Sequence, residues 1–204
     1  MIPRLCFVTD AAAALSVVEQ VMAAAAGGAG WIQLRDKTLD DQAFYELAAL
    51  LLDRLRPFET KLIVNDRVAV AQALPVAGLH IGQSDGDPTA IRQCIGNDKI
   101  LGLSVGTVTE LAAAPITAAD YFGIGPIRAT PSKPDHSAPI GFAGLSDMVS
   151  EARLPCLAIG GLTPEDVPMI KQAGCVGLAV VSAISRAADP EAATRAFLTH
   201  WMRS

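Results

Sequence analysis

Residues 61–105 read KLIVNDRVAVAQALPVAGLHIGQSDGDPTAIRQCIGNDKILGLSV. Three short apolar runs stand out, KLIVN (61–65), AGLHIG (77–82) and ILGLSV (100–105), with helix-length segments between them. A strand that is apolar on both faces is buried on both, as in a parallel sheet covered by helices. Parallel neighbours need a crossover connection, and the intervening segments supply it. The same alternation continues in both directions. Toward the N-terminus lie LCFVTD (5–10) and WIQLR (31–35), and toward the C-terminus YFGIGPI (121–127), PCLAIGG (155–161) and VGLAVVS (176–182). That makes eight predicted strands.

The covering helices carry their own marks. In 41–55, Phe44, Leu47, Ala48, Leu51 and Leu55 recur at three- and four-residue steps while Glu46, Asp53 and Arg54 fall elsewhere, so one face is apolar. Thr163-Pro164-Glu165-Asp166 and Asp189-Pro190-Glu191 each offer a cap, a proline at the first position and acids in the first turn. Gly174 stands where a helix would stop. Eight βα units in 204 residues predict a single (β/α)8 TIM barrel domain over 1–204, at about 25 residues per unit with little room for decoration. An open doubly wound sheet is the alternative. It would carry a glycine-rich first turn, and FVTDAAAAL (7–15) has none.

Composition narrows the function classes. The chain is 51% apolar and 18% charged with a net charge of −5, and it has no Lys/Arg run able to track a phosphodiester backbone, so nucleic acid is not an expected partner. The longest stretch free of strongly polar residues, 21–32, is short and broken by three glycines, which excludes a membrane span there. MIPRLCFVTD lacks the pattern of a signal peptide, and a cytoplasmic location is expected. Cys6, Cys94, Cys156 and Cys175 form no metal-binding spacing and are expected to be small buried apolar residues.

In a barrel of this kind chemistry gathers at the C-terminal ends of the strands. There the sequence places Gln33, Arg35, Asp36 and Lys37 on strand 2, Asn65, Asp66 and Arg67 on strand 3, and His80, Gln83, Ser84 and Asp85 on strand 4. Ser104 ends strand 5, Gly160-Gly161 end strand 7, and Val181-Ser182 end strand 8. Strand 6 runs into the longest loop, which carries Arg128, Thr130, Ser132 and Lys133 and is expected to act as a lid. Arg35, Lys37 and Lys133 would bind an anionic, phosphorylated small molecule. Asp66 and Asp85, from adjacent strands, are hard oxygen ligands suited to magnesium bridging a diphosphate. The small-residue turns after strands 7 and 8 would cradle a second phosphate on backbone N–H groups.

Each element also has a plain structural reading. Asp66-Arg67 could cap the next helix, Asp85 could start a turn, and His80, between apolar neighbours, reads as a packed histidine rather than a base. It is the agreement of seven strand ends that points to a site.

Taken in order, WIQLRDK, LIVNDR, GLHIGQSD, GLSVGT, YFGIGPIRATPSK, LAIGGL and GLAVVSAIS resemble the thiamine-phosphate synthase family from near residue 5 to the end. The resemblance implies a (β/α)8 barrel that joins hydroxymethylpyrimidine diphosphate to a thiazole phosphate and releases diphosphate, with magnesium required. It implies that Gln33, Arg35 and Lys37 contact the pyrimidine diphosphate, Asn65 holds the pyrimidine, and Asp66 and Asp85 ligate Mg2+. Ser104 and Lys133 would bind the diphosphate, Thr130 and Ser132 the thiazole, and the backbone at Gly161, Val181 and Ser182 its phosphate. Three departures are visible: Asp36 where the family often has Glu, Ser132 where it often has Thr, and Gly106 where many relatives carry His. A related thiazole tautomerase uses a histidine near that last place, and Gly106 cannot move a proton. A paralogue that only binds a thiamine precursor is the second alternative. The number of subunits, a homo-oligomer included, and any extra carboxylate on the thiazole are left open.

Overall fold

The structure is a computed structural model that describes residues 1–130 and 137–204. Eight parallel strands close on themselves in chain order: β1 (Leu5–Val8), β2 (Trp31–Leu34), β3 (Lys61–Asn65), β4 (Gly78–Ile81), β5 (Ile100–Val105), β6 (Tyr121–Ile124), β7 (Cys156–Ile159) and β8 (Gly177–Val180), with β8 pairing back onto β1. Helices α1 (Val17–Ala26), α2 (Asp41–Arg54), α3 (Val68–Ala73), α4 (Pro88–Ile95), α5 (Val108–Ala113) and α6 (Gly141–Glu151) follow the first six strands. α7 (Val167–Gln172) follows β7 through a 3₁₀ turn at Pro164–Asp166, and α8 (Ser182–Ser185) and α9 (Pro190–Arg203) follow β8. The predicted barrel is the observed fold, and the open sheet is excluded by closure.

All eight predicted strands exist, and 61–65 and 100–105 match at both ends. The other six end earlier than predicted because their last residues leave the ladder to build turns, and β4, β7 and β8 also start one residue later. Gly160 and Gly161 take φ of 102° and 67°, which no regular strand uses, and Pro126 has no N–H to donate. Ser16, Asp40, Asp87, Thr107 and Asp189 cap α1, α2, α4, α5 and α9 through side-chain oxygens, so each of these helices starts where a short polar residue can accept the free N–H groups.

Alternation along the strands separates two apolar layers. Leu5, Phe7, Ile32, Leu34, Leu62, Val64, Leu79, Ile81, Leu101, Leu103, Phe122 and Leu178 point outward under the helices. Cys6, Val8, Trp31, Ile63, Tyr121, Leu157 and Ala179 point inward and plug the barrel. Trp31 and Tyr121 meet edge to face with ring centres 5.3 Å apart. Gly102 pairs with Tyr121 in register and leaves the space its ring fills. Above this floor the inward positions turn polar: Gln33, Asn65, His80 and Ser104 follow one another around the wall.

Cys6, Cys156 and Cys175 are buried, and burial pushes each thiol up to about 12. Cys94, expected to be buried, is exposed on α4. The apolar face of that helix is made by Ile91 and Ile95, and Cys94 falls off it. Among the described residues no helix is long and apolar enough to cross a membrane.

Candidate active site

The C-terminal mouth of the barrel opens into a cavity of about 370 Å³. Gln33, Arg35, Lys37, Asn65, Asp85, Ser104, Thr130, Gly161, Val181 and Ser182 all line it. These ten predicted site residues come from β2, β3 and β5 and from the segments after β2, β4, β6, β7 and β8, so the closed sheet brings together positions scattered along the chain. Ser132 and Lys133 lie outside the described residues, as does the middle of the predicted lid.

Asp66 is not on the cavity wall but stands directly behind it. Lys37, which lines the cavity, pairs through Nζ with Asp66 Oδ2, and Asn65 Nδ2 donates to the same oxygen at 2.9 Å. The Asp66 backbone has φ of 53°, the left-handed region that costs a non-glycine residue about 1 kcal/mol or more. The carboxylate is thus held in place by an unusual turn. The capping reading of Asp66-Arg67 fails, because Arg67 makes no side-chain cap at α3 and instead donates to Asp41 and to the Leu39 carbonyl. Asp85 does make the turn it could start: its Oδ2 accepts from Gly82 N–H at 2.7 Å. Both carboxylates follow paired neighbours β3 and β4, and Asp66 N–H donates to the His80 carbonyl across that pair.

Among the described residues no three His, Cys, Asp or Glu side chains form a cage for a metal. A magnesium ion does not require one, since it is usually held by one or two carboxylates with waters and substrate phosphates completing the octahedron. Asp66 and Asp85 carry hard carboxylate oxygens at adjacent strand ends, the first paired with Lys37 and the second bonded to Gly82 N–H.

His80 is both a packed histidine and part of the wall. Its Nε2 is 2.8 Å from Ser104 Oγ and its Nδ1 is 2.8 Å from Tyr121 Oη. Burial holds the Tyr121 phenol well above its ordinary value, with the nearby Gln33 amide acting in the opposite direction, so the phenol stays protonated. The sequence signal for His80 was its parity: it is an inward position of β4, in register with Asn65 and Gly102. Gln83, placed at the strand 4 end without a role, and Glu110, which the sequence does not single out, are also part of the wall. Gln83 Nε2 donates to the Ser104 carbonyl at 2.6 Å, and Glu110 accepts from Gly106 N–H at 2.6 Å. Asp36 and Asp10 serve the scaffold: Asp36 Oδ1 accepts from Thr38 and Leu39, and Asp10 pairs with Arg186 at 3.0 Å.

The strand 6 loop leaves and returns through a tied neck, with Ile140 N–H donating to the Pro126 carbonyl at 2.9 Å and Gly141 N–H to the Ile127 carbonyl at 3.1 Å. The family model for thiamine monophosphate synthase matches residues 5–184. The chain belongs to the thiamine monophosphate synthase family. It is 45% identical over 183 residues to the thiamine-phosphate synthase of Azorhizobium caulinodans, covering 90% of this chain and 86% of that one. With the thiamine-phosphate synthase of Roseiflexus castenholzii it shares 45% identity over 191 residues, covering 93% and 84%. The solved thiamine phosphate pyrophosphorylase of Pyrococcus furiosus superposes with a TM-score of 0.88 at 30% identity, covering 98% of this chain and 96% of that one.

Proposed function

We propose that this chain is an active thiamine-phosphate synthase, a Mg2+-dependent transferase that condenses 4-amino-2-methyl-5-(diphosphooxymethyl)pyrimidine with a thiazole phosphate and releases diphosphate. The observation that carries this reading is the single cavity lined at once by Arg35, Lys37, Asp85 and Ser104 and by Gly161, Val181 and Ser182. Two anionic ligands can therefore lie end to end in one enclosure.

In this reading Gln33 and Asn65 hold the pyrimidine near the barrel axis. Arg35, Lys37, Ser104 and Lys133 receive the diphosphate as its C–O bond breaks, and the methylene cation left behind is captured by the thiazole nitrogen. That nitrogen carries no proton, so no general base is needed, and stabilisation of the departing charge is the main demand. Asp66 and Asp85 would hold Mg2+, which when bound supplies Lewis-acid neutralisation of diphosphate oxygens. Thr130 and Ser132 would contact the thiazole, whose phosphate rests on the backbone at Gly161, Val181 and Ser182. An enzyme of this kind works on soluble metabolites, and a cytoplasmic location suits it.

Gly106 argues against the tautomerase alternative. A Cβ there would stand 2.7 Å from Ser137 Oγ and 3.2 Å from the Gly125 carbonyl, so a histidine could enter only if the Ser137 side chain turned aside. The test is a diphosphate-release assay with both substrates, with and without Mg2+. Release that needs both substrates and the metal is the expected result. Tight calorimetric binding of a precursor with no release and no metal dependence would instead make the chain a binding paralogue.

A further inference from the structure

The turn after β7 has an unusual backbone arrangement. In a regular strand successive carbonyls point to opposite sides. Here the carbonyls of Ile159, Gly160 and Gly161 all accept from one neighbouring segment: Ile127 N–H reaches Ile159 at 3.0 Å, Arg128 N–H reaches Gly160 at 3.1 Å, and Arg128 Nη1 reaches Gly161 at 2.9 Å. The left-handed φ values of Gly160 and Gly161 make this possible. The only cis peptide among the described residues is Gly125–Pro126, so these three peptides are trans, and in a trans peptide the N–H points away from the C=O. The N–H groups of Gly160, Gly161 and Leu162 therefore face together away from Arg128. All three residues line the cavity, and among the described residues these N–H groups donate to no carbonyl outside the regular elements. Consecutive N–H groups turned to one side form an anion-binding nest.

Two of the three carbonyls are fixed by main chain, but the third is fixed by a side chain. Arg128 also grips Asp166 through both terminal nitrogens, at 2.5 and 2.7 Å, and lies over the Phe142 ring at 5.2 Å. Asp166 is buried, and its carboxylate further accepts from Thr163 N–H at 2.8 Å. The guanidinium charge is spent on Asp166, so Arg128 is not a direct phosphate ligand. We infer that Arg128 is a positioning residue for the thiazole phosphate: by holding the Gly161 carbonyl it aims Leu162 N–H into the cavity and completes the three-amide nest. This deepens the proposed function and rests on its placing of the thiazole phosphate at this turn. Without the clamp, the Gly161–Leu162 peptide, next to a glycine, is free to rotate.

The test uses the full chain and titrates the thiazole phosphate and the corresponding thiazole alcohol separately, by calorimetry and by steady-state kinetics. Removing Arg128 alone leaves Asp166 buried and unpaired, so the variants are the neutral pair Arg128→Gln with Asp166→Asn, and Arg128→Lys, which keeps the charge without the fork. Both are expected to raise KM for the thiazole phosphate about tenfold, the scale of one hydrogen bond to a charged group. Binding of the alcohol and KM for the pyrimidine diphosphate stay unchanged, a split that general loosening of the fold would not produce. Equal weakening of alcohol and phosphate, or no change in either, overturns the inference. Ser182→Asp separates the two levels, since a carboxylate in the cradle should abolish phosphate preference. If it does and the Arg128 variants bind normally, only the positioning role falls. If Ser182→Asp binds the thiazole phosphate as the parent does, the placing of that phosphate falls and takes the positioning role with it.

Discussion

Gly102 on β5 lies against the ring of Tyr121 on β6, so close that a Cβ on Gly102 would overlap Cζ, Cε1 and Oη of the phenol. The ring cannot retreat, since Trp31 meets it edge on and its hydroxyl is bonded to His80. Gly102→Ala is therefore expected to destabilise the fold by about 3 kcal/mol, the upper part of the usual cost of overpacking. In a chain of this length that corresponds to a melting temperature lower by on the order of 10 °C. An alanine variant that melts with the parent would mean the floor is looser than described.

Asp66→Asn separates folding from chemistry. Asparagine tolerates the left-handed backbone that Asp66 adopts, so thermal stability should hardly change. The amide is a poor ligand for a hard cation, and Mg2+-dependent diphosphate release should fall by on the order of a hundredfold. Retained turnover with undiminished metal dependence would remove Asp66 from the metal site.

Lys133→Ala should lower kcat by roughly a hundredfold while moving the affinity for thiazole phosphate little, because the group is proposed to act on the departing diphosphate. Equal losses in both parameters would contradict a leaving-group role.

The Arg128–Asp166 pair makes an acid limb in stability. Burial alone would raise the Asp166 carboxyl, but hydrogen bonds from Arg128 and Thr163 outweigh it and hold it below its ordinary 3.8. The contribution is fully present above pH 3.8 and is lost as pH falls through the lower folded value. Urea midpoints measured from pH 5 downward should drop less steeply for Asp166→Asn than for the parent. Parallel curves would mean the pair contributes nothing to acid sensitivity.

The thiols offer a check on burial. With Cys6, Cys156 and Cys175 raised to about 12 and buried, native protein at pH 7.5 should react rapidly with a thiol reagent at Cys94 alone. All 4 cysteines should react in denaturant. Fast labelling of two or more in the native state would show that the helix layer opens.

The barrel was legible because its signal is periodic and local. Eight apolar runs of similar length alternating with helices fit a closed barrel better than an open sheet, and their polar ends name the mouth, which is how Gln33, Asn65, Asp85 and Ser104 were found together. Strand parity, applied strictly, would also have admitted His80. Other features depend on partners distant in sequence. Nothing near Arg128 announces Asp166, which lies 38 residues away and meets it only because β6 and β7 are neighbours. The backbone nest was half visible as Gly160-Gly161, but its third amide depends on a side chain from the preceding loop. For Asp66 the capping alternative stayed open beside the metal reading because its left-handed turn leaves no trace in composition. Cys94 was misjudged because a single small apolar residue does not reveal which face of a short helix it occupies.

The fastening of Ile140 and Gly141 onto Pro126 and Ile127 separates two inheritances within one gene. Insertions, deletions or exchanges within 129–139 enter and leave at the same point, so they need not shift any β-strand out of register. Natural variants of this protein should therefore tolerate length changes in that stretch far better than in the tight turns after β7 and β8, where one added residue would misalign the amides proposed to hold the thiazole phosphate.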